Sequence, residues 1–315
     1  MRKALNRARI EGRVYDSTLA VKTVQNRESQ NFGKEFINGT LDIATDDDCM
    51  NIVQVNFTYV TETTAKGNKN NTYVALKKII DDNKTVLSIG KDNATIVRVD
   101  TALGLNDFYT NRNGEETLVS AKRNEGGFVT ILNSLGTDAH NTFECDMLIN
   151  GTKYVEADEE KNIPADYLVV KGAVFAFNGR ILPVEFVVKS EGGIKYFESL
   201  DASPQNLVFT KVWGNINSQT IVRKVEEESA FGEPSVKEYT RTVREWVITG
   251  TSKPDAVYEI GDAENGITEE EIKKAMADRE VYLADVKKRA DEWRASQANS
   301  ESVAPATAAA GAFNF

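Results

Sequence analysis

The chain has 315 residues, 41% of them hydrophobic and 27% charged, with a formal net charge of −10. This length exceeds one hydrophobic core and the composition is that of a folding chain, so two packed units with appendages are expected. No run reaches the ~18 apolar residues of a membrane span and no apolar stretch follows the basic N-terminus, which argues against membrane insertion and secretion and for a cytoplasmic protein.

Residues 1–13 carry Arg2, Lys3, Arg7, Arg9 and Arg13 against Glu11 alone, and read as a short basic arm that either solubilises the terminus or contacts phosphates. Residues 17–24 and 36–44 have the β-branched, turn-bounded look of strands, with Asn38-Gly39 marking a turn or bulge. Residues 51–60 alternate: Ile52, Gln54, Asn56 and Thr58 fall on one face, and Val53, Val55, Phe57 and Tyr59 on the other. Residues 61–71 form a polar loop with Lys66 and Lys69, and 73–80 read as a helical turn or a strand, the short helix being preferred. Strand character returns at 94–99, 118–122 and 126–132; Phe108, Tyr109, Arg112, Lys122 and Arg123 lie in and around the first connection. A turn at 133–138 places the end of the first unit near residue 135.

In the second half, residues 167–177 and 180–189 flank Asn178-Gly179, a strong hairpin signal. Strands at 207–213, 220–225 and 238–249 follow. Two sets of short strands imply two sandwich or small-barrel modules. Thr268 with Glu271 makes a capping box, and Ile267 with Ile272 a hydrophobic staple. They open an amphipathic helix whose stripe is Ile272, Met276, Leu283, Val286, Ala290 and Trp293. That stripe packs on the preceding domain or on a second copy of the chain. Beyond it, Ala-rich residues 298–315 are too poor in burial-capable side chains to order themselves.

Chemistry is sparse. Cys49 and Cys145 are too few to staple the chain and read as buried thiols in a reducing compartment. His140 is the sole histidine, which removes multi-histidine metal sites and most nucleophile pairs. No phosphate-binding loop, zinc-protease helix or hydrolase elbow is present, so a protein without catalysis or cofactor is expected. Asp46–Asp48 and Glu226–Glu228 read as solvated turns; a metal-dependent nuclease at Asp46–Asp48 is the minor alternative. Residues 1–123 carry 18 Lys and Arg against 16 Asp and Glu, whereas 124–250 carry 12 against 19. Overall acidity leaves room for a locally basic groove near the N-terminal side.

Single-stranded nucleic acid needs cations along its phosphates and exposed rings under its bases. The first unit offers Phe57, Tyr59, Tyr73, Phe108 and Tyr109 with Arg9, Arg13, Lys66, Lys69, Arg112, Lys122 and Arg123. The second offers Phe175, Phe177, Phe186 and Trp213 with Arg180 and Lys211. Alternating aromatics usually face a core, so more than half of these rings are expected to be buried, with Phe108 and Tyr109 exposed in a polar loop.

The stretches RIEGRVYDSTLAVKTV, INGTLDIATDDD with NIVQVNFTYV, and VFTKVWGNI with EEESAFGEPSVKEYTRTVREWVITG resemble single-stranded-DNA-binding proteins of bacteriophages and their hosts, built on OB-folds. The resemblance spans residues 8–250. It implies that the two β modules, 1–135 and 136–262, are OB-like domains; the capped helix then occupies 263–297 and the disordered tail 298–315. It further implies non-specific single-stranded DNA binding in replication or recombination, with Phe313 and Phe315 as a docking tip for partner enzymes. The tail departs from that family because residues 302–315 hold no acid. A phage capsid-associated or head-decorating protein, built by self-assembly of the same β body, is the alternative.

Overall fold

The computed structural model describes residues 4–112, 115–138, 140–158, 163–227, 235–253, 260–261 and 266–301. The N-terminal stretch, expected to be an arm, is instead β1 (Asn6–Ser17), and it lies at the centre of the sheet. Its odd-numbered cations face outward while Ala8, Ile10 and Val14 are buried, so period-two alternation governs a segment whose charges mask it. The short β2 (Ala20–Thr23) follows, then β3 (Glu35–Ala44) and β4 (Ile52–Thr61). Gly39 sits at φ 129° where the β3–β4 register shifts, making Asn38-Gly39 a bulge.

The 73–80 segment lies within helix α1 (Asn71–Asp82). Asn70 accepts from Thr72 N–H at 3.1 Å, and Tyr73, Leu76 and Ile79, three residues apart, point into the core. After the one-turn α2 (Val86–Ile89) come β5 (Ile96–Arg112) and β6 (Glu115–Leu132), which absorb the separate short strands expected there. Phe108 and Tyr109 therefore lie in a strand, not in a polar loop.

The second half is β7 (Asn141–Val155), β8 (Tyr167–Phe175), β9 (Ile181–Val188), α3 (Glu191–Ser199), β10 (Val208–Glu227) and β11 (Ser235–Thr251). The β8–β9 hairpin turns at Asn178-Gly179, with Gly179 at φ 83°. The last element is α4 (Glu269–Glu301), and its capping box is present: Glu271 N–H donates to Thr268 Oγ1 at 3.2 Å, and Thr268 N–H to Glu271 Oε2 at 3.0 Å. Residues 302–315, including Phe313 and Phe315, lie outside the described residues.

The fold is mainly β, and its strand order closes twice. One ring runs β1-β3-β4-β6-β5 and back to β1; the other runs β7-β8-β9-β11-β10 and back to β7. In each, the first strand pairs with the second and fourth, the third and fifth run parallel, and a helix enters between the third and fourth. That is the Greek-key small barrel of the OB type. The rings share the β1–β7 pairing, Asn6 opposite Cys145 through Ile10 opposite Asn141.

Two hairpins outgrow their barrels. Beyond the Leu103–Asn124 pair, from Gly104–Arg123 to Arg112–Glu115, β5 and β6 pair as strands only with each other, an arm about 30 Å long at ~3.4 Å per residue. From Ile216–Trp246 to Glu227–Ser235, β10 and β11 likewise pair as strands only with each other. A lone two-stranded ribbon is marginal in water, so such an arm must lie against something. The β5–β6 arm lies under α4, where Arg279 donates two bonds, 3.2 and 3.0 Å, to the fully buried Asp107 carboxylate. Farther along, Lys287 and Arg294 both pair with Glu116. The N-terminal turns of α4 dock on the second barrel, burying Ile272 and Ala275 against Phe175, Ile181 and Phe209. Of the expected stripe, Ile272 and Val286 are buried, whereas Met276 and Trp293 are exposed.

Candidate nucleic-acid interface

The base of the β10–β11 arm crosses onto the first barrel. Asn51 fixes it there: its Nδ2 donates to Ile216 O at 3.3 Å, and its Oδ1 accepts from Ser218 N–H at 2.7 Å. The outward faces of β4 and β6 thereby meet β10 and β11 across a cavity of about 160 Å³. Its walls carry Lys122, Arg123 and Arg244 among amides such as Gln54, Asn56 and Asn124. The one acid among its lining residues, Glu245, is engaged by Lys189 at 2.6 Å.

Each cation is held differently. Lys122 Nζ sits 5.2 Å from the Trp246 ring centroid, and Trp246 in turn packs on Phe186 at 5.6 Å. Burial pulls the Lys122 ammonium below its ordinary pKa, offset in part by Glu185 and Glu245. Arg123 reaches Glu125 at 3.3 Å through one terminal nitrogen, while its Nε is buried with no partner. Asn124 donates to Gln54 O at 2.9 Å and leaves its own Oδ1 buried and unpartnered. A second opening, about 390 Å³, lies where Ser120 and Lys122 of the β5–β6 arm face Lys171 and Glu185 of β8 and β9. Each arm thus reaches toward the opposite barrel.

Outside the cavity, rings stand in solvent on the sheet's outward face. Phe128 is 77% exposed on β6; it faces Asp100 on β5, which faces Arg9 on β1. Trp213, 39% exposed on β10, faces Glu144 on β7, which faces Arg7. Burial opposes the Glu144 charge, but Lys211 at 2.8 Å and Arg7 outweigh it and hold the carboxyl below its usual pKa.

The YorF family model matches residues 4–289, which is most of the chain. The chain belongs to the YorF family. No curated protein matches it. Solved structures similar to it include two of one protein. One is a deletion mutant of the single-stranded DNA binding protein from Thermus aquaticus, 12% identical with a TM-score of 0.47, covering 84% of this chain and 100% of that one. The other is the wild-type Thermus aquaticus protein, 11% identical with a TM-score of 0.45, covering 80% and 94%.

In this YorF-family chain the sequence-derived candidates scatter. Lys122 and Arg123 line the cavity together. Arg9 pairs with Asp100 at 2.8 Å and Arg13 with Asp47 at 3.1 Å, both on β1. Lys66 and Lys69 are exposed in the β4–α1 loop. Phe57, Tyr73, Phe175 and Phe186 are core residues. Tyr59 is exposed and tilted against Phe36 at 4.7 Å, while Phe108 and Phe177 are also exposed. Tyr109 is half-buried with Lys287 of α4 5.3 Å from its ring, and Arg180 stacks on Tyr282 of α4 at 3.6 Å. Lys211 pairs with Glu144 beside Trp213. The Arg112 side chain and the Phe313 and Phe315 residues lie outside the described part. Sequence reading missed Arg244, Trp246 and Asn124. It also missed Phe128, whose place opposite buried Val129 in a strand expected over 126–132 marks it as outward.

Proposed function

We propose that this protein binds single-stranded DNA without sequence preference, using the cleft between its two barrels, and performs no catalysis. The carrying observation is the convergence of Lys122, Arg123 and Arg244, from strands of different barrels, on one amide-lined cavity. Cations there meet phosphates, and the exposed Phe128 and Trp213 rings offer stacking platforms on the shared outward face. On this reading the two rings are two domains, divided between Leu132 and Asn141, acting in the cytoplasm in DNA replication or recombination. A bacteriophage origin, partner enzymes at Phe313 and Phe315, and a homo-oligomer belong to the same proposal.

The test is the anisotropy of labelled oligo-dT titrated with the full chain at two salt concentrations. Binding at micromolar protein or below, weakening with salt, is expected. No binding in low salt overturns the proposal and leaves the assembly protein as the reading to pursue.

A further inference from the structure

We infer that Trp213 stacks a nucleobase of the strand as it leaves the inter-barrel cavity along the outward row Asn217, Asn215 and Trp213 of β10; this rests on the single-stranded DNA reading above. Burial along β10 alternates: Val212, Gly214, Ile216 and Ser218 are buried, and Trp213, Asn215 and Asn217 between them are not. One face of the strand therefore carries all three. Asn217 lines the cavity, and Trp213 lies about 14 Å from it at ~3.4 Å per residue.

The indole is seated as a platform. Its cross-strand partner is Gly250, and a Cβ there would overlap the indole Nε1, Cε2 and Cζ2. The ring thus lies against the β11 backbone, in the space a side chain would fill, while the residue stays 39% exposed. Gly214, the next residue, faces Ile248, so Thr249 is the extra residue of a β-bulge, a device that re-aims a neighbouring side chain. A ring seated in this way gives up little freedom on stacking, so the contact keeps more of its free energy. Cations flank it: Lys211 Nζ is 5.7 Å from the ring centroid, and Arg7 shares Glu144 with Lys211. A flat apolar face beside cations matches a base attached to phosphates. The Asn215 and Asn217 amides each carry a donor and an acceptor, so the row between suits any base. An aromatic side chain of a protein partner would stack as well, but would use neither the polar row nor the cavity at its end.

The experiment compares oligo-dT with an abasic strand of equal length, which keeps the phosphates and removes the bases. Trp213→Ala should cut oligo-dT affinity roughly tenfold, the scale of one base stack, and leave abasic affinity within about twofold. Trp213→Phe, which keeps a ring, should recover most of the loss. Equal loss on both strands, or no loss on either, overturns the platform while leaving DNA binding standing. Failure of the wild type to bind either strand overturns the underlying reading as well, and leaves the ring to a protein partner. Ultraviolet cross-linking of oligo-dT to the unaltered chain removes any dependence on variant folding. Adducts should include Trp213, and adducts that map only elsewhere would overturn the inference.

Discussion

Arg279→Met should release α4 from the β5–β6 arm. The Asp107 side chain is 0% exposed and receives both Arg279 bonds as well as one from Ser120 Oγ, so removing the guanidinium strands a buried carboxylate. Breaking such a pair costs about 3–5 kcal/mol, whereas replacing both partners with apolar groups is often close to neutral. The loss cannot exceed the free energy that docks α4, because an undocked helix lets water reach Asp107. The readout is therefore local: amide hydrogen exchange along 272–290 should accelerate by about two to four orders of magnitude, at 1.36 kcal/mol per decade. The double variant Arg279→Met with Asp107→Leu should restore most of the protection. An acceleration of less than tenfold in the single variant would show that this ion pair does not hold the helix.

Phe128→Ala should leave stability nearly unchanged, since the ring is in solvent, yet weaken oligo-dT binding by about 1–3 kcal/mol; unaltered affinity removes Phe128 from the interface. Phe57→Ala is the contrast: a core ring whose loss should cost about 3–5 kcal/mol in urea denaturation. Because burial depresses Lys122, its charge is lost below the usual lysine range; oligo-dT affinity should fall as pH rises through that depressed value. Lys122→Arg should flatten the pH profile, and an unchanged profile would detach Lys122 from the phosphates. Glu144 and Glu11 have folded pKa values below the usual 4.5, so their stabilisation is present above that value and is lost as pH falls through the depressed ones. Glu144→Gln should therefore make acid unfolding shallower, which a pH series of denaturation midpoints reads directly. For Glu11 too, burial opposes the charge, and the Gly136 N–H and Arg98 outweigh it.

Much of the β body was legible because alternation survives wherever one face is buried. Val53, Val55 and Phe57 point inward as their spacing requires, and the Thr268–Glu271 box opens α4 where its residues demand. β7 was overlooked because Met147, Leu148 and Ile149 are all buried, erasing the period-two signature at a strand packed on both faces. One face fills the barrel and Leu148 meets the cluster beneath α4. α3 was hidden by Gly192 and Gly193, which disfavour a helix in isolation; Ser190 caps it and Phe197 anchors it. The arms read as separate strands because Gly104 and Asn106 interrupt the apolar pattern where β5 leaves the barrel. Lys122 and Arg123 were identifiable as cations near aromatics, but their union with Arg244 depends on one hairpin crossing to the other barrel. No local pattern encodes that crossing; Asn51, which pins it, is 167 positions from Ser218.

The central claim, that single-stranded DNA follows the cations of the inter-barrel cleft, is tested most directly by the salt slope of oligo-dT binding. Each phosphate neutralised contributes about −0.7 to the slope of log K against log salt. Replacing Lys122, Arg123 and Arg244 together with Gln should reduce its magnitude by about 2, relative to the wild type. A slope that stays the same in the triple variant would place the strand elsewhere on the molecule.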